Sequence, residues 1–349
     1  MPALQRRCAR FSECDMATAA APSTMIDRHG RRIDYVRLSV TDRCNLRCTY
    51  CMAEDMTFSP RRDLLTLEEI ADLARHFVRR GVRHIRLTGG EPLVRRGIGE
   101  LAEALGALLG AGLDELTLTT NGTALPLHAR RLAGAGVRRV NVSLDTLDAG
   151  KFAAVTRGGD LAQVIAGIAA ARDAGIAVKI NMVALRSVND GEFPAMLAWC
   201  GARGMDLSLI ETMPLGEVSG TRAVTYLPLA AARAALEERY TLIPTTHRTG
   251  GPSRYFEVSE TGTRVGFITP LSANFCAACN RIRVSATGTV YGCLGHDQKV
   301  ELRDIMRSGE QGALDEALGH LLAGKPARHE FDIARAQPAV ARHMSVTGG

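Results

Sequence analysis

Lysine is scarce in these 349 residues: only Lys151, Lys179, Lys299 and Lys325 occur, and subtracting those four from 43 basic residues leaves 39 arginines. That imbalance, with abundant Ala and Gly, reads as coding bias. The basic residues are scattered without a block of like charge, so a net charge of +6 and a pI near 8.9 describe a solvated surface and give no reason to expect a nucleic-acid partner. An acidic substrate is compatible with them. No stretch approaches the ~20 apolar residues of a membrane span, and the N-terminus lacks the apolar core of a secretory signal. A cytoplasmic protein without a membrane partner is expected. Residues 1–24 show no helical or strand periodicity and read as a disordered extension, with an organellar transit peptide as the alternative and Met16 and Met25 as alternative starts. Internal repeats and coiled-coil heptads are also missing.

Each of two cysteine groups lacks a fourth member. Cys44-x3-Cys48-x2-Cys51 and Cys276-x2-Cys279-x13-Cys293 both stop one thiolate short of a closed tetrahedral site. Three thiolates closing on an iron–sulfur cube leave one iron open to bind a small molecule, and two such centres suggest a redox enzyme. At this level a three-cysteine zinc site completed by His or water stays open. Short intracellular spacings of this kind fit metal or redox chemistry in a reducing compartment. Cys8, Cys14 and Cys200 read as tail and core thiols without function.

From Val36 onward, short apolar runs alternate with helical patterns: 36–40, 84–88, 115–119, 140–144, 178–183 and 207–210. Six βα units predict a parallel sheet. Thr66 and Glu69 form a capping box for a helix whose apolar face is Ile70, Leu73, Ala74, Phe77 and Val78, ending at Gly81. Ile98, Leu101, Leu105, Leu108 and Leu109 repeat that pattern before Gly112. The strand ends carry Thr41-Asp42-Arg43-Cys44, Gly89-Gly90-Glu91-Pro92, Thr120-Asn121-Gly122 and Ser143-Leu144-Asp145, on the rim where α/β barrels keep their chemistry. Beyond about residue 245 the rhythm stops. Runs 264–268, 281–285 and 289–291 alternate like strands around the second triplet. The division expected is a barrel over 25–245 and a C-terminal module over 246–349.

Cys44-Asn-Leu-Arg-Cys48-Thr-Tyr50-Cys51, followed after the next strand by Gly89-Gly90-Glu91-Pro92, resembles the signature of the radical S-adenosylmethionine (SAM) enzymes. The resemblance implies a partial (β/α)6 TIM-like barrel, a [4Fe–4S] cluster on Cys44, Cys48 and Cys51, and SAM contacts at Tyr50, Gly90, Ser143 and Met213. An electron from that cluster would release a 5′-deoxyadenosyl radical.

Both spacings, with the 37–44 and 86–92 runs, Thr119-Thr-Asn-Gly122, Asn141-Val-Ser-Leu-Asp145 and the terminal Gly348-Gly349, resemble the GTP 3′,8-cyclase family of molybdenum-cofactor biosynthesis. That resemblance implies a second [4Fe–4S] cluster on Cys276, Cys279 and Cys293, and GTP contacts at Arg37, Arg86, Thr119, Lys179, Arg281, Ile282 and Arg283. It also implies a diglycine tail reaching the site. In that family the radical takes the ribose 3′ hydrogen, the 3′ carbon closes onto C8 of guanine, and cyclic pyranopterin monophosphate synthase acts downstream. An electron-donor protein is implied and a homodimer is compatible. His84 and Ser208 stand where the family pattern has basic residues, so either Arg83 or Arg157 compensates or the chain is a divergent paralogue. Another SAM enzyme with an auxiliary cluster, acting on a peptide, and a zinc-binding structural or nucleic-acid-binding protein are the alternatives.

Overall fold

The computed structural model describes residues 24–53, 55–216, 222–335 and 337–348. The expected extension, with Cys8, Cys14 and Met16, lies outside the described residues except for Thr24, and so does Gly349. Twelve strands form one open sheet in the order β12-β11-β10-β1-β2-β3-β4-β5-β6-β9-β8-β7. Their ranges are β1 Tyr35–Ser39, β2 His84–Thr88, β3 Glu115–Thr120, β4 Arg139–Ser143, β5 Ala177–Ala184, β6 Asp206–Glu211, β7 Leu242–Pro244, β8 Arg254–Val258, β9 Arg264–Ile268, β10 Arg281–Val284, β11 Thr289–Tyr291 and β12 Lys299–Glu301.

All six expected βα strands are present. The C-terminal strands are joined to them: β10 pairs in parallel with β1, and β9 in parallel with β6. Eight parallel strands therefore run from β10 through β1–β6 to β9, with short antiparallel pairs outside them. β7, β8 and β12 lie outside the runs expected from sequence.

Period-two alternation along these strands sorts two chemistries to opposite faces. Val36, Leu38, Ile85, Leu87, Leu116, Leu118, Val140, Val142, Ile180, Leu207, Ile282 and Val284 enter one continuous apolar core with the helices. The intervening Arg37, Arg86, Thr117, Asn141, Lys179, Ser208, Arg281 and Arg283 are also buried. A sheet buried on both faces ordinarily carries apolar residues on both. Here one face is dominated by polar and cationic residues, with Val183 and Ile210 among its apolar exceptions.

The helix Leu67–Arg79 begins with the expected capping box: Thr66 Oγ1 accepts from the Glu69 amide and a Glu69 carboxylate oxygen accepts from the Thr66 amide. The next helix is shorter than its apolar pattern, ending at Gly106. Leu108 and Leu109 donate to Leu105 O and Gly106 O in a tightening turn and pack on the core from outside the helix.

Helix Leu161–Asp173 packs its Gly167 directly on Gly122, so that a Cβ there would stand 1.9 Å from the Gly122 carbonyl oxygen. Alanine gains up to about 1 kcal/mol over glycine in a helix interior, but forced overpacking costs about 1–3 kcal/mol. Gly167→Ala is therefore expected to lower stability despite its better helix propensity, read as a fall in the urea midpoint of the cluster-free chain; a rise would refute this packing argument.

Candidate functional site

Two adjoining cavities occupy the polar side of the sheet. One is walled by Cys44, Cys48, Tyr50, Cys51, Gly89, Gly90, Thr119, Ser143, Met213, Met344 and Ser345, and the other by Arg37, Arg86, Lys179, Phe275, Cys276, Cys279, Arg281, Arg283, Cys293, His329 and Phe331. Asn181, Ile210 and Met213 belong to both walls. The sequence-predicted residues thus gather into two neighbouring chambers. Thr119 falls in the first chamber, and Ile282 is buried in the core, lining neither.

In the first chamber, Gly90 N donates to Thr41 O and Glu91 N to Arg43 O, each at 2.8 Å, laying the glycine turn against the start of the cysteine loop. A Cβ on Gly89 or Gly90 would meet that backbone at 2.4 Å, so only glycine fits. Glu91 is fully buried and accepts from Asn121 N at 2.6 Å, Thr120 Oγ1 at 2.7 Å and Leu93 N at 3.0 Å. Burial pushes its carboxyl up to about 7 against the pull of these donors. Asp145 accepts from Tyr50 Oη at 2.7 Å and Val183 N at 2.8 Å, and burial raises it to about 6. Burial also pushes the Cys48 and Cys51 thiols up, the latter to about 12.

The second chamber is cationic. Register puts Arg283, Arg37 and Arg86 side by side on β10, β1 and β2, all buried. Nε of Arg37, Arg86 and Arg281 is buried without a partner, and among the described residues no carboxylate pairs with any of these four arginines. Burial, then neighbouring Arg283 and Arg86, hold Arg37 well below its usual value. Lys179 donates to Tyr255 Oη at 3.0 Å, and burial brings it down to about 8. Cys279 is drawn down to about 7: burial raises the thiol, but Lys325 and Arg281 outweigh it. Glu211 accepts from Leu271 N at 2.9 Å and Ser272 N at 3.1 Å, tying the end of β6 to the loop that leads to Cys276. Arg283 donates to Gly348 O at 3.2 Å, and a Cβ on Gly348 would lie 2.0 Å from Thr88 Oγ1.

The two proposed compensating arginines do not face this chamber. Arg83 is ion-paired to Asp114 at 2.6 Å on the surface, and Arg157 donates to Arg47 O and Met52 O beside the first cysteine loop. His84 lies under Gly250, and Ser208 Oγ is 3.3 Å from Ser253 Oγ, so one loop, residues 249–253, covers both departures. Sequence reading missed Asn181, Tyr255, Phe275, His329 and Phe331. Only Asn181, two residues beyond Lys179 and therefore on the same strand face, carried a usable signal.

Both triplets carry the donor set of an iron–sulfur cluster, whose ligands are cysteine thiolates, and their thiols line the chamber walls. The fold and these walls define a radical SAM protein: residues 38–200 match the radical SAM superfamily and residues 205–331 match Molybdenum Cofactor Synthesis C. The chain is 58% identical over 331 residues to the GTP 3′,8-cyclase of Erythrobacter litoralis, covering 94% of this chain and all of that one. It is 55% identical to that of Rhizobium etli (strain CIAT 652), covering 95% and 96%. It belongs to the GTP 3′,8-cyclase family. Streptococcus suis SuiB shares the fold, with a TM-score of 0.58 at 18% identity over 85% of this chain and 68% of that one.

Two expectations follow. Arg37→Met removes a buried, unpartnered cation, so the cluster-free chain should gain about 1–3 kcal/mol while the thermal shift produced by inorganic tripolyphosphate shrinks; a loss of stability with an unchanged shift would contradict the electrostatic reading. Glu91, with a folded value near 7 against an ordinary 4.5, binds its proton more tightly in the native chain. Its contribution to stability therefore falls as pH rises from about 4.5 to 7. Glu91→Gln should flatten the dependence of the urea midpoint on pH in that window.

Proposed function

We propose that this chain converts GTP into (8S)-3′,8-cyclo-7,8-dihydroguanosine 5′-triphosphate, the first step of molybdenum-cofactor biosynthesis, with SAM and two [4Fe–4S] clusters as cofactors. The observation that carries this reading is the row of buried arginines with which no carboxylate pairs among the described residues, beside one cysteine triplet and one chamber away from the other. A triphosphate brings about four negative charges, and charge-assisted bonds to guanidinium forks are the strong ones. The named relatives act on GTP by their printed activity.

In this reading Cys44, Cys48 and Cys51 would hold a cluster that would supply the electron for SAM cleavage, and Cys276, Cys279 and Cys293 would hold a second cluster that would bind the purine. Gly90, Tyr50, Ser143 and Met213 hold the methionine and nucleoside parts of SAM, with Tyr50 kept in place by Asp145. Arg37, Arg86, Lys179, Arg281 and Arg283 clamp the triphosphate, Thr119 contacts the nucleoside from the first chamber, Ile282 supports the arginines from the core, and the Gly348 carbonyl orders Arg283. Asn181, Ile210 and Met213 form the shared wall, so ribose and adenosyl meet there. Residues 246–349 act as the substrate-binding module, built onto both edges of the barrel sheet. A separate protein donates electrons, and cyclic pyranopterin monophosphate synthase takes the product. No described helix is long and apolar enough to cross a membrane, consistent with work in the cytoplasm.

The test is anaerobic reconstitution followed by incubation with dithionite, SAM and GTP. About eight irons per chain, GTP-dependent 5′-deoxyadenosine and a product isobaric with GTP by mass spectrometry are expected; deoxyadenosine formation indifferent to GTP would overturn the substrate assignment. Cys44→Ala should abolish SAM cleavage. Cys276→Ala should keep uncoupled cleavage and lose cyclisation, and equal loss of both with the first cluster intact would contradict the division of labour.

A further inference from the structure

Lys325 is 1% exposed, yet no carboxylate pairs with it among the described residues. The buried acids are engaged elsewhere: Asp27 with Arg31, Asp42 with the Ser59 amide, Glu91 with Thr120 and Asn121, Asp145 with Tyr50 and Glu211 with the 271–272 backbone. Its Nζ donates to Arg281 O at 3.1 Å and to Gly292 O, and stands 3.7 Å from Cys279 Sγ. Those carbonyls belong to the residue two after Cys279 and the residue before Cys293. The partners of this buried side chain are thus two carbonyl oxygens and one cysteine sulfur, and a buried ammonium is stabilised by an anionic neighbour.

Its position is fixed from several sides. Lys325 caps the helix Ala313–Gly324, where its own amide donates to Leu322 O. Gln298 Nε2 holds Leu321 O at 2.9 Å, and Arg31 bonds Pro326 O, Ala327 O and Cys276 O at 2.7–2.9 Å. One arginine thus ties the segment after Lys325 to the first ligand of the triplet.

Among the described residues no lysine or arginine donates to a sulfur of the first triplet. Its sulfur donors are neutral, the Leu46 amide at 3.4 Å and the Asn121 amide group at 3.9 Å on Cys44 and the Ser345 amide on Cys51, and its charged surroundings are mixed, with Glu91 and Asp145 buried beside it and Arg47 and Arg222 acting on Cys44 and Cys51. Hydrogen bonds to sulfur and local charge set the potential of an iron–sulfur cluster, a fixed cation favouring the more reduced state.

We propose that Lys325 is the internal counter-charge of the cluster held by Cys276, Cys279 and Cys293, a positioning residue that raises its reduction potential above that of the first cluster. The inference rests on the cluster assignment given under the proposed function. Its consequence is that the two centres, though they share a chamber wall, do not accept electrons with equal ease.

The experiment uses the reconstituted full chain, Lys325→Met and Lys325→Arg, with iron and sulfide analysis and a dithionite titration followed by electron paramagnetic resonance. Each variant is compared with a Cys276→Ala chain that retains only the first centre. The expected result is a second-cluster midpoint shifted to more negative potential in Lys325→Met, near wild type in Lys325→Arg, and an unmoved first-cluster signal in both. Loss of half the iron in Lys325→Met with retention in Lys325→Arg would equally support a required positive charge. An unchanged second midpoint in Lys325→Met, or loss of the cluster in both variants, overturns the proposal. A wild-type chain that assembles only about four irons would instead strike at the cluster assignment and remove the inference with it.

Discussion

Uncompensated positive charge on the inner face of the parallel strands governs the rest of the molecule. Arg283, Arg37 and Arg86 sit in register on three neighbouring strands, and strands lie about 4.8 Å apart. At an effective dielectric near 20, two unit charges at that spacing repel by about 3 kcal/mol. Among the described residues no carboxylate pairs with them; what support they have is the Gly348 carbonyl for Arg283, the Tyr35 ring 5.5 Å from Arg86 and 6.0 Å from Arg281, and the Phe275 ring 5.4 Å from Arg281. The opposite face of the same strands carries the apolar core that holds the sheet together. A sheet so divided is stable enough to keep its charges in place and is relieved when a polyanion arrives. Binding and folding therefore oppose each other on one set of strands.

That constraint explains the topology. A six-stranded barrel sheet by itself would leave β1 and β6 as edges, exposing the polar face to water and screening the arginines. The C-terminal region adds β10 beside β1 and β9 beside β6, and with β10 come Arg281, Arg283 and the Cys276–Cys279 loop. Closing the edges and completing the cation row are thus one structural event. The chambers end up with different electrostatics, carboxyls and arginines mixed beside the first triplet and guanidinium and ammonium groups beside the second, with Asn181, Ile210 and Met213 between them.

Much of this was legible in the residues. Strand periodicity gave β1–β6 nearly to their ends, the Thr66–Glu69 box marked a helix start, and both triplets were visible as spacings. What sequence pattern could not supply was pairing over long separation: β10 and β1 lie some 245 residues apart, and periodicity says nothing about which strand a distant strand will join. Helix length failed at Leu108 and Leu109 because apolar spacing continues through a tightened turn that still packs on the core. Compensation by Arg83 or Arg157 failed for a related reason, since proximity in sequence to a site does not fix which carboxylate or carbonyl an arginine meets. Lys325 was visible as one of four lysines, but only burial without an acid reveals its partner.

The C-terminal segment then follows as a structural requirement. Ala339 N donates to Pro214 O and Gly216 N to Val340 O, both at 2.9 Å, fastening the tail to the loop that carries Met213. Arg342 stacks over Tyr291 at 3.9 Å and donates to Leu294 O, His296 O and Asp297, fastening the same tail to the loop after Cys293. Six residues further on, Gly348 presents its carbonyl to Arg283. A single strap thus touches the loops of both chambers and the cation row between them. Its anchors are backbone hydrogen bonds and one arginine whose side chain is buried, so a short length of chain spans both loops. Met344 and Ser345 of the same segment wall the first chamber, and the tail, like the sheet, therefore joins the surroundings of the two triplets.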